Sequence, residues 1–357
     1  LKKIIYIKPS DSTFILSDQR ILEKHFTVNP FLLKIQKNPL FFIWRMIYLF
    51  FFLLFNIGRA DAVITWFADY HALIIAFIAK LFKKKFVIFI GGQEAICYPE
   101  LKKGVYYKKF RGACVKYALQ KASLIIPNHK SLVYHENYYY NGSGKKDGIK
   151  FYIPELKTRI KVIPNGYDIN KFKRDDSIMK NPNMILTIGK TNTISDILNK
   201  GFDLFISVAR RNPDLEFVII AVAKEHIIWQ EEKYKISELR NLIVIPYYCP
   251  AEKMKLYYNQ AKVFVQASIT EGMPNTLGEA MLYECVPVGS NVNGIPDTIG
   301  NTGVIIYHRD VDELEEAIRK ALTMDTGKEA REHIIKNFTD GKRENEIVKV
   351  LIENDIK

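Results

Sequence analysis

The chain has 357 residues, 52 Lys and Arg against 39 Asp and Glu, a net charge of +13, and 48% hydrophobic residues. That length suits about two to three domains, and the composition excludes intrinsic disorder and collagen-like repeats. A mean hydropathy of −0.07 excludes a polytopic membrane protein.

Leu1–Lys8 has a basic start, but its apolar run is too short for a secretory signal. It reads as a first buried strand at 3–8. Short β-branched runs predict strands at 26–32, 62–66, 86–90, 124–126 and 160–163. Apolar periodicity predicts helices at 15–24, 37–57, 70–82 and 110–121. Within the second of these, Leu40 to Phe55 is apolar all round, with one Arg. Such a helix lies in a core or against lipid. It is barely long enough to span, since ~20 residues are needed, and spanning would divide the first strands across a bilayer. The choice lies between a buried crossover helix and one whose outer face rests in a membrane surface.

Downstream, Lys102, Lys103, Lys108, Lys109, Arg111, Lys116 and Lys121 occur without a single acid. Tyr106, Tyr107, Phe110 and Tyr117 interleave them. Each basic residue contributes ~1 kcal/mol beside anionic headgroups, and aromatics anchor at the same interface. Lys102, Lys103, Tyr106, Tyr107, Lys108, Lys109, Phe110 and Arg111 are therefore expected to dock on an anionic membrane. Single-stranded nucleic acid or plain solvent suits the same composition. Asn141–Gly148 reads as a flexible loop.

The second half repeats the rhythm. Strands fit 184–188, 217–222, 242–245, 263–266, 286–289 and 303–306, and helices fit 201–211, 251–259, 275–284, 312–323 and 328–338. Alternation of this kind predicts an α/β protein of two doubly wound parallel-sheet domains. The charged, Pro-containing stretch near 170–183 reads as the linker between them. Residues 1–180 hold 31 basic and 13 acidic residues, against 21 and 26 in residues 181–357. The first half thus carries the whole positive field and calls for an anionic partner. Cys97, Cys114, Cys249 and Cys285 stand apart without a Cys-x-x-Cys pair, which argues against disulfides and a cysteine zinc site. A reducing cytosol is the expected setting.

The chemistry concentrates in Phe264–Met281. A strand ends near Gln266, a loop carries Glu271, Gly272, Met273 and Pro274, and a helix starts at Asn275 with Thr276 and Leu277. The free N–H groups of a helix start above a parallel sheet suit a diphosphate. Glu271 and Glu279, eight residues apart, do not form a close carboxylate pair, but each can grip different hydroxyls of one ligand.

Glu271 and Glu279 with Gly272, Pro274 and Ala280–Met281 resemble the Glu-x7-Glu motif of the family 4 glycosyltransferases, the glycosyl transferases group 1. Val286-Pro287-Val288 and Gly294-Ile295-Pro296-Asp297 resemble the next strand and turn of that family, and Pro164-Asn165-Gly166-Tyr167-Asp168 its interdomain signature. Ile188-Gly189-Lys190 and Lys200-Gly201-Phe202-Asp203 resemble the start of its donor domain. The resemblance runs from about 120 to 340 and implies a GT-B fold, two Rossmann-like domains facing a cleft. It implies an acceptor-side domain at 1–177, a donor domain at 178–339, and a tail at 340–357 that packs back on the first. It implies a retaining hexosyl transfer from a UDP- or GDP-sugar, a co-substrate, without metal or other cofactor. Carried over, Glu271 holds donor-sugar hydroxyls, Glu279 holds the ribose, and Lys200 with Gly189 and Lys190 meets the diphosphate. The backbone of Gly272, Met273, Pro274, Asn275, Thr276 and Leu277 touches sugar and phosphates, and Glu271 and Lys200 are the catalytic pair.

Many relatives have Arg where Lys190 stands, and often a His where this chain has Gly91, Gly92, Gln93 and Glu94. Gly91 and Gly92 permit close backbone approach to a ligand, and Gln93 and Glu94 are candidates for donor-sugar or acceptor hydroxyls. Asp310-Val311-Asp312 spells a metal motif, but Glu313 three residues on makes it a helix cap. The expected protein is a glycosyltransferase on the cytoplasmic face of a membrane, acting on a lipid-linked or polysaccharide acceptor, with no nucleic-acid partner. The alternatives are a GT-B sugar-nucleotide epimerase and a non-enzymatic nucleic-acid-binding protein.

Overall fold

The computed structural model describes residues 1–34, 38–246 and 249–356. In the first part of the chain the elements are β1 (Lys3–Lys8), α1 (Thr13–His25), β2 (Thr27–Leu32), α2 (Pro39–Asn56), β3 (Ala62–Trp66), α3 (Tyr70–Leu81), β4 (Lys85–Ile90), α4 (Lys109–Lys121) and β5 (Leu124–Pro127). A short hairpin follows, β6 (His135–Asn137) and β7 (Lys145–Asp147), then β8 (Arg159–Ile160). Next come β9 (Asn181–Ile188), α5 (Phe202–Arg211), β10 (Glu216–Val222), α6 (Lys224–Tyr234), β11 (Leu242–Pro246), α7 (Ala251–Gln260), β12 (Ala261–Gln266), α8 (Asn275–Leu282), β13 (Val286–Ser290) and β14 (Val304–Ile306). Three helices end the chain, α9 (Val311–Thr323), α10 (Gly327–Asn337) and α11 (Asp340–Glu353). The first residue of the expected 37–57 helix and the last of the expected tail lie outside the described residues.

The chain forms two units. One comprises Leu1–His135, Lys146–Gly166 and Asp340–Lys357, the other Glu136–Lys145 and Tyr167–Thr339. The division falls at 166/167, ahead of the expected 177/178, because the intervening segment is tied down. The Arg174 guanidinium donates to Asn259 Oδ1 (2.8 Å) and the Ile178 carbonyl (2.6 Å), and Lys180 Nζ donates to the Ala261 and Tyr283 carbonyls (2.7 and 2.8 Å). Charge here serves buried carbonyls rather than solvent.

The first unit holds a six-stranded sheet in the order β8-β5-β4-β3-β1-β2, with parallel pairing throughout. Its central strands are covered on both faces, so they read as unbroken runs such as Ile4-Ile5-Tyr6-Ile7 rather than alternating ones. α11 belongs to this unit. Its buried Arg343 binds both oxygens of buried Asp18 (2.6 and 2.7 Å), donates to the carbonyls of Ile163 and Pro164, and lies over the Trp66 and Phe89 rings. Asp18 also accepts from the Trp66 indole (2.9 Å). Every polar atom of that core ion pair is thereby partnered, as burial of charge demands.

The second unit repeats the plan, with parallel order β11-β10-β9-β12-β13-β14. α6 was not foreseen, because Ile227, Ile228 and Trp229 stand among charges without a periodic stripe. α2 is an isolated case. Asn38 caps it by accepting from the Leu40 and Phe41 N–H groups, and Pro39 opens it. Of its eighteen residues only Leu49 and Leu53 are buried. That excludes the core reading of this helix.

Candidate active site

The best-formed site lies in the second unit, where β9 and β12 are neighbours and end side by side. Gly189 and Lys190 follow β9, and the loop to α8 follows β12. Lys200 Nζ meets Glu271 Oε2 at 2.5 Å, a short, charge-assisted contact between half-buried side chains.

The geometry is imposed by backbone. Gly201, next to Lys200, has φ +72°, and a Cβ there would stand 2.4 Å from the Ala267 carbonyl oxygen. Only glycine allows the Lys200 turn to lie this close on the Glu271 loop. The Ile269 N–H donates to the Asn199 carbonyl (2.8 Å), the Glu271 N–H to Asn293 Oδ1 (3.1 Å), and the Gly294 N–H to the Gly272 carbonyl (2.9 Å). A Cβ on Gly189 would meet the Lys200 stem at 3.2 Å, so the end of β9 also touches this lysine.

α8 begins at Asn275 with no side-chain cap, so the N–H groups of its first turn are suited to an incoming acceptor. Met273, Pro274 and Leu277 are buried, and Thr276 points its hydroxyl at Gln266 Oε1 (3.3 Å). Gly278 carries the helix over Tyr167, whose ring would lie 2.2 Å from a Cβ there. Tyr167 donates to the Pro274 carbonyl (3.1 Å). Glu279, one turn into α8, accepts from the Tyr258 hydroxyl (3.0 Å), and burial pushes its carboxyl up to about 7. Lys190 is exposed at the end of β9. The structure thus brings together Gly189, Lys200, Glu271 and the 272–277 segment, with Glu279 on the inner side of the same helix.

In the first unit several expected ligands serve the fold instead. Glu94 is fully buried, and its carboxylate accepts from the Ala68 (2.9 Å) and Gly92 (3.2 Å) N–H groups. Desolvation pushes it up to about 7. Gln93 Oε1 accepts from the Gly104 N–H (2.8 Å). A Cβ on Gly91 would strike the Phe67 ring at 2.8 Å, and Gly92 takes φ +149°. The close approach these glycines permit is to the protein's own aromatic ring and backbone. The Glu94 carboxyl is therefore engaged within the loop, while Gly91 and Gly92 are half-buried and Gln93 is exposed.

The docking segment divides likewise. Lys102, Lys108, Lys109 and Phe110 are exposed, and Lys103 and Tyr107 are half-buried. Tyr106 turns inward to stack on Tyr152 at 4.0 Å, and Arg111 forks onto Asp69 (2.9 and 2.6 Å). Neither of these two presents itself to a headgroup. The apolar surface lies elsewhere in the unit. Phe41, Trp44 and Phe55 of α2 are exposed, as are Phe77 and Leu81 of α3. Ring contacts from Phe42 to Tyr70 and from Tyr70 to Phe110 join α2, α3 and α4 into one face. Pro39–Arg59 is, by length and composition, long and apolar enough to cross a membrane, and few of its residues are buried.

Asp310 accepts from the Asp312 and Glu313 N–H groups (2.9 and 3.0 Å), so it caps α9. Among the described residues no group of three or more His, Cys, Asp or Glu is gathered for a metal ion.

Residues 168–340 match the glycosyl transferases group 1 family. A phosphatidylinositol N-acetylglucosaminyltransferase chain of Arabidopsis thaliana is 24% identical over 170 residues, 46% of this chain and 37% of that protein. A Campylobacter jejuni "GalNAc-alpha-(1->4)-GalNAc-alpha-(1->3)-diNAcBac-PP-undecaprenol alpha-1,4-N-acetyl-D-galactosaminyltransferase" is 28% identical over 42% of this chain and 41% of its own. The chain thus matches well under half the length of these curated relatives. Among solved structures, Anabaena Alr3699/HepE in complex with UDP-glucose superposes with a TM-score of 0.72 at 16% identity, covering 99% of this chain and 100% of that one. Sucrose-phosphate synthase from Thermosynechococcus elongatus gives 0.75 at 12% identity, over 99% of each chain. The likeness carries the fold, two parallel-sheet α/β domains of the GT-B kind.

Proposed function

We propose that this chain, whose residues 168–340 match the glycosyl transferases group 1 family, is a glycosyltransferase of that kind and moves a sugar, with retention, from a nucleotide-sugar donor to a lipid-linked or polysaccharide acceptor. The observation that carries this reading is the Lys200–Glu271 pair beside the uncapped start of α8. A departing diphosphate gains negative charge as the glycosidic bond breaks. Lys200, Lys190 and the first N–H groups of α8 supply positive charge for that departing group, and such groups placed around developing charge lower the barrier. When donor binds, Lys200 turns from Glu271 to phosphate, and Glu271 is freed to accept hydrogen bonds from sugar hydroxyls. Glu279 is left for the ribose. The donor phosphate itself takes the acceptor proton, so no second carboxylate is required at the reacting carbon. Ammonium groups here supply the charge that a metal supplies in other transferases.

UDP is the first donor class to try, since a structural neighbour holds UDP-glucose, with GDP-sugars as the second. The names of the Arabidopsis and Campylobacter relatives include a phosphatidylinositol and a PP-undecaprenol, which supports a lipid-linked acceptor. The exposed apolar face of α2, α3 and α4 beside Lys108 and Lys109 supports peripheral attachment to the cytoplasmic face of a membrane.

A thermal-shift panel of UDP, GDP, ADP and their sugar conjugates, with EDTA present, tests the donor reading. A ligand at 100 times its Kd stabilises the fold by about 2.7 kcal/mol. One nucleotide standing out supports the reading, and a flat panel overturns it. Sedimentation with anionic vesicles tests attachment. Phe41→Ser, Trp44→Ser and Phe55→Ser together are expected to leave the protein in the supernatant, and unchanged pelleting removes the docking face.

A further inference from the structure

The Glu271 loop is held by a piece of chain that precedes the family match. Between β6 and β7 the chain makes a short excursion, and residues 136–145 pack with the second unit. Asn137 is fully buried, and its Nδ2 donates to the Ile269 carbonyl at 2.7 Å. Tyr139, 2% exposed, directs its hydroxyl to the Ala267 carbonyl at 3.4 Å, and its own carbonyl accepts from the Arg309 N–H at 3.2 Å. These two side chains therefore serve carbonyls two and four residues ahead of Glu271.

The same short stretch is held from the Lys200 side as well. The Ile269 N–H donates to the Asn199 carbonyl, and Asn199 Nδ2 donates to the Thr270 carbonyl at 3.4 Å. The peptide at Ile269 is thus fixed at both ends, its N–H by the residue before Lys200 and its C=O by Asn137. A buried carbonyl deprived of its donor carries a desolvation cost that it relieves by moving. Movement at Ile269 displaces Glu271 relative to Lys200, because only Thr270 separates them.

We propose that Asn137 and Tyr139 are positioning residues that set Glu271 against Lys200, so that recognition of the donor sugar depends on a hairpin outside residues 168–340. The proposal rests on the transfer reading above for its catalytic consequence, but not for its structural one. Glu271 faces the sugar in that reading, whereas the nucleotide is held by Glu279 and the start of α8. Loss of the hairpin contacts should therefore reduce turnover and leave nucleotide affinity in place.

The test uses the full chain with Asn137→Leu, which keeps the size and removes the donor, and Tyr139→Phe, which removes one hydroxyl. Amide hydrogen exchange is read over residues 264–272. Release of UDP or GDP from their glucose and mannose conjugates gives turnover, and calorimetry with UDP and GDP alone gives nucleotide affinity. The expected result for Asn137→Leu is faster exchange confined to 267–272, a turnover loss of about ten- to hundred-fold, and a nucleotide Kd close to that of the unaltered chain. Tyr139→Phe should change the same readouts in the same direction by less. Unchanged exchange and turnover in both variants overturn the proposal. So does a parallel loss of nucleotide affinity, which marks a merely structural role. If Asn137→Leu does not fold, Tyr139→Phe alone decides. If the unaltered chain turns over no sugar nucleotide, the transfer reading fails, and the exchange pattern still decides whether the hairpin positions the loop.

Discussion

The two units share one plan, six parallel strands with loops gathered at the strand ends, and use those loops in opposite ways. In the second unit the loops set a charge pair, Lys200 and Glu271, ahead of the start of α8, with Lys190 exposed at the end of β9. In the first unit the buried Glu94 is turned onto the N–H groups of Ala68 and Gly92, and Arg111 of α4 binds Asp69 at the start of α3. The first unit is instead distinguished by its surface, an apolar face on α2, α3 and α4 with the exposed Lys108 and Lys109 next to Phe110. A diphosphate, the group proposed to bind the second unit, has few good solutions in protein chemistry, so a site for it takes a recurring form. A lipid-facing surface needs only composition, and many sequences meet it.

The sharpest way to separate the units is to strike the first at its core. Arg343→Ala leaves the buried Asp18 without its counter-ion, and removing one partner of a buried pair costs about 3–5 kcal/mol. In calorimetry the first unit should melt early while UDP or GDP still stabilises the second. A single unshifted transition would show that Asp18 finds another partner. Glu271→Gln addresses the opposite unit. Turnover should fall by about 10²–10³, with the melting profile unchanged, and near-normal turnover removes Glu271 from the chemistry. Gly278→Ala forces a methyl onto Tyr167, and overpacking of this kind costs about 1–3 kcal/mol. It should destabilise the second unit alone and weaken nucleotide binding through the shifted start of α8.

The smallest effect is a pH slope. Glu94 keeps its proton to about 7, whereas the ordinary value is 4.5. Between those values the folded chain binds a proton that the unfolded chain has released, so stability falls as pH rises and is level above about 7. The slope contributed by one such group is at most about 1.4 kcal/mol per pH unit. Glu279 adds a similar share from the second unit. Glu94→Gln should flatten the dependence for the first unit and leave that of the second, and an unaltered slope in both would mean that Glu94 is ionised throughout.

The difference between the units also governs what the sequence reveals. Strands buried on both faces announce themselves as β-branched runs, and the donor motif spells itself in order along the chain from Gly189 to Glu279. The purpose of the Gly91–Glu94 loop was not legible, because Gly, Gln and Glu after a strand are equally suited to a ligand and to neighbouring N–H groups. Only the positions of Ala68, Gly104 and Phe67, distant in sequence, decide it. The same holds for Arg111, whose partner Asp69 lies forty-two residues away, and for Tyr106, whose stacking partner is Tyr152. The apolar run of α2 was legible as composition, but its exposure depended on which neighbours pack against it. The hairpin at 136–145 was hidden by its loop-like residues, since Asn137 and Tyr139 gain meaning only from carbonyls some 130 residues later.

The Arg343–Asp18 pair has a consequence for how the protein is made. Asp18 is translated early, and its counter-ion is translated only after the whole of the second unit. Until then the pocket beside Trp66 and Phe89 holds a carboxylate without its cation. The first sheet to be synthesised is therefore completed only after the second unit has been made. A slow or paused passage of residues 167–339 prolongs that unfinished state.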